Sequence, residues 1–493
     1  MLLVQPEAEL SVTTTDTYSP PIGLASIATF CKNQHPDLEI KIIGSYNMTH
    51  QEQINYLEKF KPDILGLSPT ISSQKNAYEI AETTKEKFNS INILGGVNST
   101  QLWGPILNNR KFIDAIILYD GHFATSELIN RLEKNQIFEN IPNVTYRKDK
   151  EIVPPKQIFI PSLEQIPDIN YSLLDMDTFS ELTEQRGFGK AISYAPGRGC
   201  SKRGGKLEKN LMKWEDFQEI LKTMHACSFC GRNEIGFDTI PYIREIKTIN
   251  RLNKNYGITG YFNIQDTVSL LPAKAPKNWE EFWFRLFITS ELASKQKNID
   301  LLKNKYSENL VFQIGIESAN EDMLRKFGKF GHNTEYFLKM NELLNKNNIQ
   351  LHATFVLGGP GETKKSLKET SQLIKELSKM ENVTWIGASP EILLPGSPDY
   401  VNYLLLNPNL KAKYKKEDLI NVKQAHKDML KYVSPEIIRE DVIGSIKEAF
   451  TNAKKNNPNI ILDGKGLTPE EEKQAECYRP YLENPNWKFR FAS

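Results

Sequence analysis

Three of the five cysteines in the chain stand near one another in the sequence and could bind a common centre. Cys200 closes the run Gly-Arg-Gly-Cys, while Cys227 and Cys230 are separated by two residues, Ser228 and Phe229. Thiolates bind zinc and iron–sulfur clusters, and a two-residue gap lets two sulfurs point at one centre. Three cysteine ligands instead of four would leave one iron of a 4Fe–4S cluster open to a substrate.

The cysteines by themselves leave three alternatives open. The spacing is C-x26-C-x2-C, which suits a cluster only if residues 204–226 are an insertion. A zinc site made of Cys200, Cys227 and Cys230, with or without His225, is the second alternative. The third is a degenerate protein that has lost its metal. The insertion itself contains Trp214, Phe217, Ile220, Leu221 and Met224 at helical spacing, which predicts an amphipathic helix.

Length and composition exclude several classes of protein. With 493 residues the chain can form two or three domains. Lys+Arg 62 against Asp+Glu 61 gives no overall basic field, so no nucleic-acid partner is expected. No apolar run reaches the roughly 18–20 residues that span a bilayer, so no membrane association is expected. Five cysteines argue against a secreted disulfide framework, and we therefore predict a cytoplasmic protein.

Short apolar strands alternate with helical stretches in the N-terminal third. Predicted strands lie at the N-terminus and within residues 38–44, 62–70, 91–97 and 115–118, with helices near 50–60, 72–88 and 124–134. This alternation predicts a parallel, doubly wound α/β sheet of the Rossmann-like type. Ligands of such sheets lie beyond the carboxyl ends of the strands, where residues 68–70, 95–98 and 119–122 would cluster.

A second alternation follows the cysteines, and a helical region follows that. Predicted strands lie within residues 261–266, 284–288, 310–318, 351–357 and 384–388. They predict a partial (β/α) barrel with its chemistry at the carboxyl ends of the strands. From about residue 401 the pattern is mainly helical, over 417–432 and 435–455, and then irregular to 493.

The central segment resembles the radical S-adenosylmethionine (radical SAM) superfamily, whose usual cluster motif is C-x3-C-x-aromatic-C. The matching pieces are Cys227–Gly231, Gln265–Asp266, Trp283–Arg285, Gly315–Ser318, Phe355–Thr363 and Pro395–Ser397. The resemblance implies a 4Fe–4S cluster on Cys200, Cys227 and Cys230 and reductive cleavage of S-adenosylmethionine to a 5′-deoxyadenosyl radical. It also implies that Phe229, Asp266, Arg285 and Glu317 bind S-adenosylmethionine, with Phe229 beside the adenine. Core packing is the alternative for Phe229, and a mutual or local ion pair is the alternative for Arg285 and Glu317.

The N-terminal segment resembles the cobalamin-binding domain that precedes the barrel in many radical SAM enzymes. The residues that the resemblance assigns to the cofactor are Ser68, Thr70, Gly95, Gly96, Asn98 and Gly121. The D-x-H-x-x-G motif, whose histidine ligates cobalt in many cobalamin proteins, is missing. His50 is the nearest candidate, but Met48 stands in place of its aspartate and Gln53 in place of its glycine. We therefore expect bound cobalamin to have no protein imidazole on cobalt.

These resemblances define the predicted organisation and function. We expect a cobalamin-binding domain at residues 1–160, a linker at 161–190, a radical SAM domain at 191–400 and a helical cover over the substrate at 401–493. The predicted activity is a cobalamin-dependent radical SAM methyltransferase that acts on an unactivated carbon or phosphorus of a small-molecule or peptide substrate. An external electron donor of the flavodoxin or ferredoxin type would reduce the cluster. The alternatives are a rearrangement, ring contraction or cyclisation without methyl transfer, or a zinc-stabilised or cluster-less binding protein.

Overall fold

The computed structural model describes residues 1–8, 20–133, 138–200, 211–223, 227–231 and 236–491. Two seven-stranded sheets organise these residues, so the predicted α/β class with two sheets is confirmed. His225 and Met224, and residues 204–210 of the predicted insertion, lie outside the described ranges. Within those ranges, every helix is too short or too polar to cross a membrane.

The first sheet is built from the N-terminal third. Its elements, with the helices between them and the short strand that follows, are β1 (Leu2–Gln5), α1 (Ile22–Gln34), β2 (Lys41–Gly44), α2 (His50–Phe60), β3 (Ile64–Leu67), α3 (Gln74–Phe88), β4 (Ile91–Leu94), α4 (Gly96–Asn109), β5 (Ala115–Ile117), α5 (His122–Glu133), β6 (Val144–Lys148), β7 (Glu151–Val153) and β8 (Gln157–Ile158). The strand order is β2-β1-β3-β4-β5-β6-β7. The first five strands are parallel, as predicted, and β6 and β7 extend the sheet antiparallel.

Local sequence explains why these elements begin and end where they do. Helix α2 starts at a capping box, in which Thr49 accepts from the Glu52 N–H and Glu52 accepts from the Thr49 N–H. Strand β4 ends before Gly95 and Gly96, and Gly96 has a φ of 85°, which glycine adopts at little cost. The order of the strands reverses between β1 and β3, so a crevice opens at their carboxyl ends.

The second sheet is the central one. The central part of the chain contains α6 (Met176–Gln185), β9 (Ala191–Tyr194), β10 (Gly197–Gly199), β11 (Met212–Lys213), α7 (Trp214–Thr223), β12 (Phe237–Thr239), α8 (Tyr242–Tyr256), β13 (Gly260–Asn263), β14 (Trp283–Phe287), α9 (Ser290–Ala293), α10 (Gln296–Lys305), β15 (Asn309–Glu317), α11 (Glu321–Lys326), α12 (Thr334–Lys346), β16 (Gln350–Leu357), α13 (Lys364–Leu377) and β17 (Val383–Pro390). Strands β10 and β12 form a separate two-stranded ladder, and β11 pairs with β8. Together with β18 (Ile461–Asp463) from the C-terminal region, the strand order of the second sheet is β18-β17-β16-β15-β14-β13-β9, with every neighbouring pair parallel.

The two faces of this open half-barrel differ in burial. Along β15, Phe312, Ile314 and Ile316 are fully buried, whereas Gln313 and Gly315 between them are only partly buried. Successive side chains of a strand point to opposite faces, so one face packs in the core and the other borders an open interior.

The C-terminal region completes the central sheet. It contains α14 (Lys411–Tyr414), α15 (Val422–Val433), α16 (Arg439–Asn456), β18 (Ile461–Asp463), α17 (Pro469–Gln474) and α18 (Pro480–Glu483), after a π-helix at Tyr400–Leu405. The prediction that residues after 456 are irregular is therefore wrong in part, because β18 pairs with β17.

Near the end of the described chain, Phe489 donates its N–H to the Gly187 carbonyl at 2.7 Å, and its ring lies 5.0 Å from that of Trp283 at the start of β14. The tail thus covers the amino ends of the strands and leaves their carboxyl ends open.

Candidate active site at the carboxyl ends of the two sheets

Cys200 lies just beyond the first strand of the half-barrel. Strand β10 carries it there, and β10 pairs antiparallel with β12. Gly199 has a φ of 80°, and a Cβ on it would lie 2.0 Å from the Gly236 carbonyl oxygen, so only glycine fits. The Cys200 Sγ lies 3.3 Å from the Thr267 hydroxyl, which follows β13. Cys200 is therefore at the carboxyl edge of the sheet, on the side of β9 and β13.

Cys227 and Cys230 are the two ends of one tight turn. The Cys230 N–H donates to the Cys227 carbonyl at 2.9 Å, and the Ser228 carbonyl accepts from the Asp399 N–H at 2.9 Å. A Cβ on Gly231 would lie 2.5 Å from the Cβ of Leu394. The turn is thus packed against the segment that follows β17, again at the carboxyl edge.

The three cysteines are at the same end of the half-barrel but are not assembled into a finished metal site. Among the described residues, no group of three or more His, Cys, Asp or Glu side chains is arranged to hold a metal ion. The donor set of three thiols, two of them on one turn, fits a cluster in its chemistry. Their assignment as cluster ligands stays a prediction.

Phe229 makes an aromatic contact next to this turn. Its ring meets that of Phe327 edge to face, with centroids 5.3 Å apart. Phe327 in turn lies against Gly359, since a Cβ on Gly359 would be 2.6 Å from the Phe327 ring. Phe229 is only partly buried, so it borders the mouth of the half-barrel, and its assignment to the adenine stays a prediction.

The other three residues assigned to S-adenosylmethionine occupy different depths. Glu317 ends β15 with a φ of 68°, and its carboxylate pairs with the Lys329 ammonium at 2.8 Å. Arg285 lies in the middle of β14, 2% exposed, with its guanidinium carbon 4.4 Å from the centroid of the Phe262 ring. Asp266 is partly buried three residues beyond β13. Glu317 thus makes a local ion pair, and the assignment of these three residues to S-adenosylmethionine stays a prediction.

Sequence reasoning missed a group of buried carboxyl groups near the cysteine turn. Glu362 accepts from the Gly358 N–H at 3.1 Å and from the Ser366 hydroxyl. Burial, opposed by these hydrogen bonds, raises the pKa of Glu362 to about 7. Burial and then the neighbouring Asp399 hold the pKa of Glu391 well above its usual range. Burial also raises the pKa of Asp399. Nothing in their spacing along the chain indicates that they meet.

The carboxyl edge of the first sheet brings together three of the six residues predicted to bind cobalamin, namely Ser68, Gly95 and Gly96. A Cβ on Gly96 would lie 2.9 Å from the Ser68 Oγ, whereas one on Gly95 would find its nearest atom at 3.8 Å. Because neither glycine has a side chain, a large cofactor could approach the backbone closely here.

The other three residues predicted to bind cobalamin, Asn98, Thr70 and Gly121, contact neighbouring side chains. Asn98 donates to Gln74 at 2.7 Å, Thr70 lies 2.9 Å from the Ser72 hydroxyl, and a Cβ on Gly121 would meet Ile27 at 2.8 Å.

The carboxyl edges of the two sheets meet. Gly396, in the turn after β17, has a φ of 82°, and a Cβ on it would lie 2.3 Å from the side chain of Gln101 on α4. Farther out, the Tyr78 hydroxyl donates to the Asp418 carbonyl at 2.9 Å. The two regions where ligands of such folds bind therefore adjoin each other.

The helix predicted within the insertion is confirmed as α7. It packs on the first domain, which is the domain built around the first sheet. Phe217 is fully buried, with its ring centroid 4.7 Å from that of Tyr119 just beyond β5. Trp214 lies 6.5 Å from Trp103 of α4. Ile220 is 37% exposed, so the buried face is narrower than the sequence pattern predicted.

A parallel half-barrel with cysteines at its carboxyl edge, preceded by a Rossmann-like domain, defines the class of a radical SAM enzyme. Residues 223–374 match the profile of the Radical SAM superfamily. The central part of the chain thus contains a radical SAM domain, which confirms the resemblance stated for that segment.

The similarity of this chain to known proteins extends beyond the central domain. Over 407 residues the chain is 25% identical to an uncharacterized methyltransferase of Pyrococcus horikoshii, covering 76% of this chain and 78% of that protein. It is 21% identical to the cobalamin-dependent radical SAM methyltransferase TokK of Streptomyces tokunonensis, covering 66% of this chain but 46% of TokK. The solved structure of the radical S-adenosylmethionine methyltransferase TsrM of Kitasatospora setae, with cobalamin and a [4Fe-4S] cluster bound, is similar with a TM-score of 0.59 and 14% identity. It covers 82% of this chain and 77% of TsrM. At that identity the likeness shows the fold.

Proposed function

We propose that the protein is a cobalamin-dependent radical SAM methyltransferase that methylates an unactivated carbon or phosphorus. The observation that carries the proposal is the contact of Gln101 with Gly396, which joins the open glycine edge of the first domain to the carboxyl end of the half-barrel. A methyl donor held on one edge would then face a substrate in the mouth of the other. The relatives named as methyltransferases support this activity over rearrangement or cyclisation.

We propose residues of the chain for each of these groups. Cys200, Cys227 and Cys230 would hold the 4Fe–4S cluster, and Phe229, Asp266, Arg285 and Glu317 would bind S-adenosylmethionine. Ser68, Gly95 and Gly96 would lie against cobalamin. When bound, the cluster and S-adenosylmethionine supply a 5′-deoxyadenosyl radical, and cobalamin supplies the methyl group. The protein's own task is to orient these groups and keep water out, for which the half-barrel provides a buried wall.

The remaining partners follow from the chemistry of the radical SAM family. The enzyme needs a one-electron reductant, for which we propose a flavodoxin or ferredoxin. We propose a small molecule or peptide as substrate, because a balance of 62 basic and 61 acidic residues gives no field for nucleic acid. An oxygen-sensitive cluster needs a reducing compartment, which supports a cytoplasmic location.

Metal analysis after anaerobic purification tests the proposal. Wild-type protein reconstituted with iron, sulfide and hydroxocobalamin should hold about four irons per chain and bound cobalt. Cys200→Ala, Cys227→Ala and Cys230→Ala should each lose most of the iron. Cys477→Ala is the matched control, because it removes a thiol whose pKa burial raises and which lies beside Gly464 after β18, at the opposite edge of the sheet from β9 and Cys200.

The contrary outcomes are distinct. Zinc in place of iron would favour the zinc-stabilised alternative, and full iron in Cys200→Ala would overturn the ligand assignment. With S-adenosylmethionine labelled in its methyl group, a substrate that gains the labelled methyl supports methyl transfer. A product of unchanged mass would show rearrangement or cyclisation instead.

A further inference from the structure

Arg198, two residues before Cys200, is paired across the domain boundary. Its Nη1 lies 2.9 Å from Oδ2 of Asp120, in the turn after β5 of the first domain, and the Asp120 side chain is 7% exposed. Its Nη2 donates to the Pro161 carbonyl between the domains. A partly buried, multiply bonded guanidinium is held far more firmly than an exposed ion pair.

Asp120 is fixed from its own side by the first domain. Its Oδ1 accepts the His122 backbone N–H at 3.1 Å and lies 3.0 Å from the His122 Nδ1. The other ring nitrogen of His122 is 2.7 Å from the Ser26 hydroxyl on α1. Oδ1 of Asp120 thus bonds within the first domain, and Oδ2 pairs with Arg198.

Arg198 is equally fixed to the strand that bears Cys200. It pairs with Asp238 in the β10–β12 ladder, and its Nη2 lies 3.9 Å from the Asp238 carboxylate. The neighbouring Gly199 allows no side chain beside the Gly236 carbonyl. Since β10 cannot slide without breaking these contacts, the position of Arg198 sets the position of Cys200.

We infer that Arg198 and Asp120 are positioning residues that hold Cys200 in register with the cofactor edge of the first domain, so that occupancy of that edge and retention of iron are coupled. The turn that holds Asp120 directly follows Tyr119, at the edge where the first domain would bind its cofactor. A ligand that orders this turn therefore also orders Cys200. Coupling of two binding equilibria is reciprocal, so cluster assembly should tighten cobalamin binding by the same factor. Both halves of the inference rest on the proposed function, the iron half on its cluster ligands and the cobalamin half on its cobalamin site.

Iron release measures both halves in the reconstituted full-length protein. A ferrous chelator is added anaerobically, with and without hydroxocobalamin, to wild type, Arg198→Gln and Asp120→Asn. We expect each variant to release iron about tenfold faster than wild type, within the range usual for coupling between sites. We expect hydroxocobalamin to slow release in the wild type and to have lost that effect in both variants.

Matched variants separate positioning from general loss of stability. Arg110→Gln removes a comparable guanidinium that pairs with the buried Asp418 carboxylate at the C-terminal end of α4, in a contact that does not involve β10, so its iron release should match wild type. Arg198→Lys keeps the charge without the second bond to Pro161 and should recover part of the retention. Asp120→Asn keeps the shape of the side chain, so it serves even if Arg198→Gln folds poorly.

Two results would overturn the inference. Iron release from Arg198→Gln and Asp120→Asn within twofold of wild type would show that the pair does not position Cys200. Unaltered protection by hydroxocobalamin in both variants would show that the pair does not couple the domains. Wild-type protein that binds no hydroxocobalamin would sink the cobalamin proposal instead, while the iron comparison still decides the role of Arg198.

Discussion

The imidazole of His426 on α15 holds the Gly358 carbonyl at the carboxyl end of β16, with 2.9 Å between Nε2 and the oxygen. Its Nδ1 lies 3.1 Å from Nη1 of Arg439. A carbonyl only accepts and a guanidinium only donates, so Nε2 carries the proton and Nδ1 accepts. Burial and then Arg439 lower the pKa of His426 to about 3, so the ring stays neutral. Arg439 in turn makes two bonds of 2.9 Å to the Glu471 carboxylate. Helices α15, α16 and α17 thus stabilise the turn that begins at Gly358, at the carboxyl end of β16.

Replacing His426 should destabilise the protein. His426→Ala leaves the Gly358 carbonyl and Nη1 of Arg439 without their buried partner and opens a cavity, at a cost of about 2–4 kcal/mol. Urea unfolding of the apoprotein measures it, and His426→Gln, which can still donate to the carbonyl, should recover part of the loss. Equal unfolding free energies for His426→Ala and wild type would show that the turn holds without this brace.

Glu362 should make stability depend on pH. Its pKa is about 7 in the folded protein and close to 4.3 when unfolded. The folded state therefore binds more protons than the unfolded state between these values, and stability falls as pH rises through them. The neutral Glu362→Gln should be as stable as wild type near pH 4 and more stable by up to about 4 kcal/mol above pH 8.

The measurement is urea unfolding of both proteins at several pH values. The groups facing Glu362 are the Ser366 hydroxyl, the Gly358 and Gly359 N–H groups, Lys326 and the buried carboxyl of Glu391, and all are kept in Glu362→Gln. A difference between the two proteins that does not change with pH would contradict the raised pKa.

The insertion helix should support the cluster without supplying a ligand. Trp214→Ala and Phe217→Ala remove its contacts with Trp103 and Tyr119, and loss of the fully buried Phe217 should cost about 3–5 kcal/mol. Since α7 lies between Cys200 and Cys227 in the chain, both variants should hold less iron after reconstitution. Ile220→Ala, on the exposed side of the same helix, is the control. Unchanged iron content in Trp214→Ala would assign the helix to another role.

Cobalamin, if bound, should carry no protein imidazole on cobalt. His50 already has its Nε2 2.9 Å from the Glu79 carboxylate, and its N–H donates to Glu7 at 2.7 Å, so it serves the start of α2. Electron paramagnetic resonance of the cob(II)alamin form should show the same spectrum in wild type and His50→Ala. A nitrogen splitting that is present in wild type and disappears in His50→Ala would identify His50 as a ligand.

The sequence by itself determined the elements that depend on neighbours in the chain. Alternating strands and helices, the capped start of α2 and the glycines that end β4 follow from local periodicity and backbone freedom, and the structure has them. The family of the half-barrel could also be recognised from short motifs such as Gly315–Ser318, because the residues of each motif are consecutive in the chain and need no distant partner to be identified.

Only the tertiary structure decided which distant segments meet. Strand β18 has three residues, too few for a pattern, and is a strand because β17 offers it a free edge. Asp120 and Arg198 are 78 residues apart, and Glu391 lies far along the chain from the cysteine turn that Asp399 contacts. Such pairs depend on how two sheets are oriented. That orientation is set by the sum of many packed contacts, which no local spacing in the sequence records.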